Sequence, residues 1–147
     1  MNDRYLCKAK SIDSGKWVQG YYIKRIKKTP ACIEKETDDD IEHLIVYNSF
    51  SDWDMPRHLI SVKVDPATLC RCTGLKDKNS KLIWENDFVQ CGGKELVVWD
   101  EHFASWCLIK EGWAYKHFFG EAQMPEDCEV VGNKFDNPEL LEECDTD

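Results

Sequence analysis

Cysteine and histidine are the residues of this sequence with the widest range of chemistry. The chain has eight cysteines and four histidines. A cysteine nucleophile needs a neighbouring histidine that favours the thiolate, and His102, Cys107 and His117 are the nearest such set. No motif of a cysteine enzyme flanks them, so we interpret all three as structural residues. The sequence predicts no catalytic residue and no enzyme.

Two groups of residues have side chains that could bind a metal ion. Cys70 and Cys72 are separated by one residue, whereas paired zinc ligands need two to four residues between them. On a strand both thiols would face one side, so we expect two buried strand residues. The acidic residues between 38 and 54 lack the spacing and the central glycine of a calcium loop, and a solvated loop is expected. No phosphate-binding loop or nucleotide motif is present, and the sequence predicts no metal or other cofactor. The acidic residues are Asp38, Asp39, Asp40, Glu42, Asp52 and Asp54.

One basic segment follows a group of aromatic residues and is the candidate nucleic-acid site. Basic side chains bind phosphate, and exposed aromatic rings stack on unpaired bases. The alternative is that the basic residues protect an exposed strand edge while the tyrosines lie in the core. We favour edge protection, because a net charge of −9 on the protein repels the negatively charged phosphates of DNA. The basic residues are Lys24, Arg25, Lys27 and Lys28, and the aromatic residues are Trp17, Tyr21 and Tyr22.

Length and composition indicate a folded chain without disulfides. A chain of 147 residues forms one domain or two small ones, and six Trp, five Tyr and six Phe supply large buried areas. The first residues lack the apolar region of a secretory signal, and no apolar run is long enough to cross a bilayer. We therefore expect a soluble protein of the cytoplasm, in which the eight cysteines are free and mostly buried.

Charge is distributed unevenly along the chain. Residues 1–30 carry a net charge of +6, and residues 120–147 carry −9. Such polarity could orient a partner or a neighbouring subunit through long-range fields. We favour the simpler interpretation that both ends are solvated surfaces.

Strand patterns predominate in the secondary structure that must position these residues. Gly92-Gly93 lies between two β-rich runs and predicts a hairpin with a two-residue turn. Asn137 and Pro138 are suited to the N-cap and the first turn of a short terminal helix. The sequence predicts a domain boundary near Asp65-Pro66-Ala67-Thr68, because proline ends a strand. Other strands are predicted at 5–10, 17–23, 31–36, 43–48, 59–64, 105–110, 113–119 and 128–131.

Four segments form a recognisable set, in order along nearly the whole chain. They are Arg4 to Gly20, Val64 to Asn79 with Thr73-Gly74-Leu75-Lys76-Asp77, Ile83 to Val89 followed by Val98-Trp99-Asp100, and Cys128 to Leu141. Together these segments resemble the YopX family of phage and prophage proteins. Ser80 and Asn86 stand where the family pattern usually has glycine, and we expect both turns to survive with altered geometry.

The resemblance implies a mostly β architecture, with an N-terminal β region followed by a small SH3-like β-barrel and a short C-terminal helix. We expect a β subdomain at residues 1–68 and the barrel with the helix at residues 69–147. The expected role is that of a non-enzymatic phage accessory protein in the bacterial host cytoplasm, which binds a protein partner or itself. The alternative is a nucleic-acid-binding module that uses residues 24–28. No membrane association is expected.

Overall fold

The computed structural model describes residues 3–27, 37–50, 53–110, 116–121 and 123–142. These described residues are mostly β, with 53% of them in strands of two antiparallel sheets and one short helix, which confirms the predicted mostly β class. The chain divides into two compact units. The N-terminal unit is Tyr5–Cys70, and the C-terminal unit is Arg71–Asp147 together with Met1–Arg4. The two folding domains expected at 1–68 and 69–147 stay a prediction.

The described part of the N-terminal unit has four antiparallel strands, and each pairs with the next along the chain. The side chains of one sheet face form a core around Ala9, Ile45 and Val64. Gly20 lies on this face, and a Cβ atom there would lie 2.4 Å from the carbonyl oxygen of Val46. Only glycine therefore allows the second and third strands to approach so closely. The strands are β1 (Cys7–Lys10), β2 (Trp17–Ile26), β3 (Ile41–Asn48) and β4 (Leu59–Lys63).

The C-terminal unit contains a small hairpin and a five-stranded antiparallel sheet. The hairpin pairs β5 (Cys70–Lys76), which begins one residue before the unit, with β6 (Leu82–Trp84). The order of the sheet is β10-β9-β8-β7-β11, so the last strand lies beside the first. Its core contains Ile83, Val89, Val97 and Leu108. The sheet strands are β7 (Asp87–Gln90), β8 (Lys94–Asp100), β9 (Ser105–Ile109), β10 (Lys116–Phe118) and β11 (Glu129–Asn133).

The hairpin at Gly92-Gly93 is confirmed, but its turn is longer than predicted. Gln90 pairs with Lys94, so three residues connect the strands. Cys91, Gly92 and Gly93 form this connection, and Gly92 takes the left-handed backbone, with φ of 103°.

The expectation that all cysteines are free is wrong. Cys91 and Cys128 form a disulfide, with Cα atoms 4.5 Å apart. The bond joins the β7–β8 connection to the residue before β11, and the sequence offered no local pattern for that pairing. Cys70 and Cys72 are buried and unbridged on β5, with Arg71 exposed between them, as strand alternation predicted. Cys32 and Cys144 lie outside the described residues.

Both turns where the family usually has glycine are formed with left-handed backbone. Ser80 has φ of 62° and Asn86 has φ of 67°. The terminal helix is also formed, as α1 (Glu139–Glu142), two residues after Asn137. The strand predicted at 31–36 lies outside the described residues.

Within the described residues neither sheet closes on itself, so the SH3-like barrel stays a prediction. Their one α-helix has four residues, whereas a bilayer crossing takes about 20. No described helix can therefore span a membrane.

Candidate functional site

The basic segment 24–28 does not form one basic patch within the described residues. Lys24 and Arg25 are neighbours on β2, so their side chains point to opposite faces of the sheet. The Nη1 atom of Arg25 lies 3.6 Å from Glu42 Oε2, and Lys63 Nζ lies 2.9 Å from Glu42 Oε1. The hydrogen bond from Lys63 and the surrounding positive charges outweigh desolvation and lower the pKa of Glu42. Glu42 thus neutralises part of the positive charge of this segment.

The rest of that segment is partly engaged as well. Lys27 donates from Nζ to the carbonyl oxygen of Asp39 at 2.9 Å. Lys28 lies outside the described residues. Nucleic-acid binding by Lys24, Arg25, Lys27 and Lys28 stays a prediction.

A second group of basic and aromatic residues lies on one face of the first hairpin. Lys10 pairs with Trp17 across β1 and β2. The Nζ atoms of Lys8 and Lys10 lie 4.8 and 5.4 Å from the centroid of the Trp17 ring. Tyr21 lies on the same face and is exposed, because side chains on one strand alternate. We call these four residues the basic face. The alternation of Cys7-Lys8-Ala9-Lys10 was the only sign of it in the sequence.

The connection between β3 and β4 exposes large apolar side chains. Trp53 is 93% exposed, Phe50 is 88% exposed and Leu59 is 75% exposed. Burial of such side chains is the main driving force of association in water. We call Phe50, Trp53, Met55 and Leu59 the β4 surface. The sequence analysis did not identify this surface, because exposure cannot be read from a short aromatic-rich segment.

The outer edge of β4 adjoins this surface. Ser49 donates to the carbonyl of His58 at 2.7 Å, and Val64 donates to that of His43 at 2.9 Å. Because hydrogen-bonded pairs alternate in an antiparallel ladder, the backbone groups of Leu59 and Ser61 point away from β3. At the other end of the strand, the carbonyl of Lys63 accepts a hydrogen bond from Ile12 at 3.0 Å.

A pocket of 390 Å³ lies in the C-terminal unit, and we call it the arginine–tryptophan pocket. Residues of β5 form one wall, and residues of β8, β9 and their connection form another. Two arginines, Arg4 and Arg71, and two tryptophans, Trp99 and Trp106, line it. The other lining residues are Cys72, Thr73, Ala104 and Ser105.

The cysteines and histidines considered for catalysis are not brought together. Burial and then the nearby Asp100 carboxylate raise the pKa of the Cys107 thiol, which disfavours a thiolate. His117 Nε2 lies 2.9 Å from Glu95 Oε1. His117 pairs with Leu108, the neighbour of Cys107 on β9, so His117 and Cys107 lie on opposite faces of the sheet.

The acidic residues form no metal centre in the described part of the chain. Asp38, Asp39 and Asp40 form a turn of 3-10 helix after Thr37. No group of three or more His, Cys, Asp or Glu side chains there could hold an ion. Asp52 lies outside the described residues.

Comparison with known proteins identifies a family over most of the length. The model of the family described as YopX protein matches residues 8–142. No curated protein matches the chain with significance. The matched range includes the basic face, the β4 surface and most of the pocket residues. The chain belongs to the YopX family.

Proposed function

We propose that this protein is a non-enzymatic binding protein that associates with a second copy of itself through the β4 surface and the outer edge of β4. The observation that supports the proposal best is the exposure of Phe50, Trp53 and Leu59 within ten residues of chain. Large aromatic side chains of this kind are the residues that dominate association energies when a partner buries them.

The strand edge gives this apolar surface a geometry. Two copies of β4 can pair antiparallel about a two-fold axis, because the outward backbone groups of Leu59 and Ser61 would meet the same groups of the other copy. Such pairing adds strand hydrogen bonds to apolar burial. It also places the β3–β4 connections of both copies, with their exposed apolar side chains, at the interface, because each copy contributes the same residues.

Charge does not oppose this contact. The N-terminal unit contains ten Lys or Arg and ten Asp or Glu residues, so its formal net charge is zero. The charge of −9 therefore belongs to the C-terminal unit. Two copies that meet through their neutral units repel one another much less than two copies that meet through their acidic units.

Sedimentation velocity over a concentration series tests the proposal. We expect a monomer–dimer equilibrium with a dissociation constant of roughly 1–100 µM, as is usual for a small interface. Trp53→Ala should weaken the dimer by at least about 30-fold, because a buried aromatic anchor contributes about 2 kcal/mol or more. Leu59→Lys should do the same by placing a charge at the strand edge.

Met124→Ala is the matched control, because Met124 is an exposed apolar residue of the C-terminal unit. Its dimer should be as stable as that of the unaltered protein. A protein that sediments only as a monomer over the whole series would contradict self-association. Equal weakening by Met124→Ala would place the contact elsewhere.

Nucleic-acid binding is the second candidate, and the basic face is the observation that favours it. Two lysines beside an indole, with an exposed tyrosine on the same face, combine phosphate attraction with stacking. We expect single-stranded oligothymidylate to bind at low salt in a fluorescence anisotropy titration. The double change Lys8→Glu and Lys10→Glu should abolish binding.

The matched control for that titration is Lys76→Glu with Lys78→Glu, two exposed lysines of the C-terminal unit, which alters the net charge by the same amount. It should leave most of the affinity. Replacing Lys8 and Lys10 by glutamine should reduce the salt slope by about 1.4 if each lysine neutralises one phosphate. If the anisotropy does not change at low salt, the nucleic-acid-binding proposal is wrong. If both glutamate variants lose affinity equally, binding depends on the net charge of the protein and not on the basic face.

The remaining expectations belong to the same proposal. The strand order of the C-terminal sheet supports an SH3-like barrel, because five-stranded barrels of that type also return their last strand beside the first. A 3-10 helix at Pro125–Asp127 precedes that strand, which is a further similarity.

The family resemblance supports a phage accessory role in the host cytoplasm. Burial of Cys91 and Cys128 would slow attack on their disulfide by cytoplasmic thiols.

A further inference from the structure

The outer edge of β4 offers few backbone groups to a second copy, and this limits how two copies can pair. In an antiparallel ladder every second residue directs its N–H and C=O groups outward, and on β4 these residues are Leu59, Ser61 and Lys63. The Lys63 carbonyl accepts the backbone N–H of Ile12 at 3.0 Å. Among the described residues no hydrogen bond reaches the outward groups of Leu59 and Ser61. The edge is therefore covered from Lys63 onward and open before it.

One symmetric register uses the whole of this open edge. If a two-fold axis passes beside Ile60, Leu59 of one copy lies opposite Ser61 of the other, and both pairs exchange their outward N–H and C=O groups. An axis at Ser61 would require the edge at Lys63, which is already covered. An axis at Leu59 would set Ser61 opposite Arg57, which lies outside β4. The axis beside Ile60 is therefore the favoured one.

The same register matches the side chains of β4. Ile60 pairs with Tyr47 on β3, so its side chain lies on the sheet face that contains the core residue Ile45. In this register the two Ile60 side chains face each other in a non-hydrogen-bonded pair, in which Cβ atoms lie about 4.5–5.5 Å apart. The apolar core face of one copy thus continues into that of the other.

A groove lies at the C-terminal end of β4, and we call it the Ile12 groove. Its volume is 190 Å³, and an apolar cavity of about 150 Å³ is enough to hold a benzene ring. Ile12 is 63% exposed and gives the groove an apolar rim. In its wall, Lys63 Nζ and Glu42 Oε1 lie 2.9 Å apart and neutralise each other. The apolar lining residues are Ile12, Ile41, Val64 and Pro66.

The register brings the apolar β3–β4 connection of one copy to the Ile12 groove of the other. Antiparallel pairing about Ile60 sets each residue that precedes Ile60 beside a residue that follows it in the partner. Trp53 thus comes to the C-terminal end of the partner's β4. The chain leaves the strand edge there, because the edge is covered and because Pro56 has no N–H to donate. Its exposed aromatic side chain then lies at the rim of the groove.

We propose that two copies pair through β4 about a two-fold axis beside Ile60, and that Trp53 of each copy occupies the Ile12 groove of the other. This inference rests on the self-association proposed above and adds its register and a second contact. The Ile12 groove lies outside the β4 surface, so the second contact is tested by a residue of its own.

Cysteine cross-linking at two neighbouring positions tests the register, at a protein concentration at which sedimentation velocity shows the dimer. Ile60→Cys should form a disulfide-linked dimer in the presence of glutathione disulfide, because the Cα atoms of such a pair lie about 4.5 Å apart. Ser61→Cys is the matched control, because its two copies lie on a diagonal about 7–8 Å long, which is too far for a disulfide. The unaltered protein gives the background of the native cysteines on a non-reducing gel.

The outcomes separate the register from the self-association. If a dimer forms and Ile60→Cys cross-links no better than Ser61→Cys, the register is wrong and the self-association stands. If sedimentation shows no dimer, both proposals are wrong.

Ile12→Asp tests the groove. It should weaken the dimer by about tenfold or more, because it replaces an apolar contact of Trp53 with a charge. Ile23→Asp is the matched control, because Ile23 is 46% exposed on β2, which β3 separates from β4. Thermal unfolding checks that both variants are folded. An undiminished Ile12→Asp dimer, or an equal loss in the two variants, would overturn the groove contact.

Discussion

Loss of the Cys91–Cys128 disulfide is expected to lower the free energy of unfolding by more than any other single change considered. The bond spans a sequence separation of 37 residues. A cross-link of that span restricts the unfolded chain by about 4 kcal/mol in the loop-entropy description. The measurement is urea unfolding of the unaltered protein and of the double variant Cys91→Ala with Cys128→Ala, each with and without reductant.

Reductant should destabilise the unaltered protein and leave the double variant unchanged. A thiol titration of the denatured protein should detect two more thiols after reduction than before. If reductant changes neither the stability nor the thiol count of the unaltered protein, the two sulfurs are not bonded. Alanine is a better replacement than serine, because Cys128 is fully buried and a serine hydroxyl there would lose its hydrogen bonds to water.

The second large effect is expected for Asp77→Asn, at about 2–3 kcal/mol of unfolding free energy. Asp77 is buried and accepts three backbone hydrogen bonds. Oδ1 accepts from Asn79 and Lys81 at 2.8 and 2.9 Å, and Oδ2 accepts from Val130 at 3.0 Å. An asparagine keeps only one acceptor oxygen. Its amide N–H₂ group replaces the other oxygen and faces a backbone N–H that is itself a donor, so at least one buried backbone N–H loses its hydrogen bond.

Asp65→Asn is the control, because Asp65 is exposed and its side chain accepts one hydrogen bond, from the backbone N–H of Ala67. The unfolding free energy should change by well under about 1 kcal/mol, because asparagine caps a helix nearly as well as aspartate. A loss for Asp77→Asn no larger than that for Asp65→Asn would show that the link between the β5–β6 turn and β11 contributes little. Urea unfolding at neutral pH provides both values.

The Asp77 difference should depend on pH in a defined direction. Burial alone would raise the pKa of Asp77, but the hydrogen bonds from Val130, Lys81 and Asn79 and the charge of Lys81 together lower it. A group with a lowered pKa stabilises the folded state fully above its unfolded pKa, which is about 4 for aspartate. That stability is lost as pH falls through the folded pKa. The gap between the unaltered protein and Asp77→Asn should therefore narrow below about pH 4.

Local features of the sequence were sufficient for the class and for most strands. Short runs rich in β-branched and aromatic residues predicted β2, β3 and β4, because strand preference depends on the residues of the segment itself. Proline at 66 ended a strand for the same local reason. The turns at Ser80 and Asn86 were expected from the family resemblance, because the family pattern has glycine at both positions and glycine adopts positive φ most readily.

The candidate binding surfaces depended on pairing between distant residues. Lys8 and Lys10 meet Trp17 only because β1 and β2 pair in one register. Arg71 reaches Trp99 and Trp106 only because three strands of the C-terminal unit converge. The sequence contains each of these residues but no local pattern that joins them.

By itself the sequence determined a β-rich chain of the YopX family, with its strands, its breaks and its terminal helix. Only the tertiary structure decided that Cys91 bonds with Cys128, that Asp77 links a turn to the last strand, and which aromatic residues stay exposed. The physical reason is range. Strand periodicity and turn preference act over a few residues, whereas a disulfide, a buried carboxylate and a pocket require segments tens of residues apart to meet.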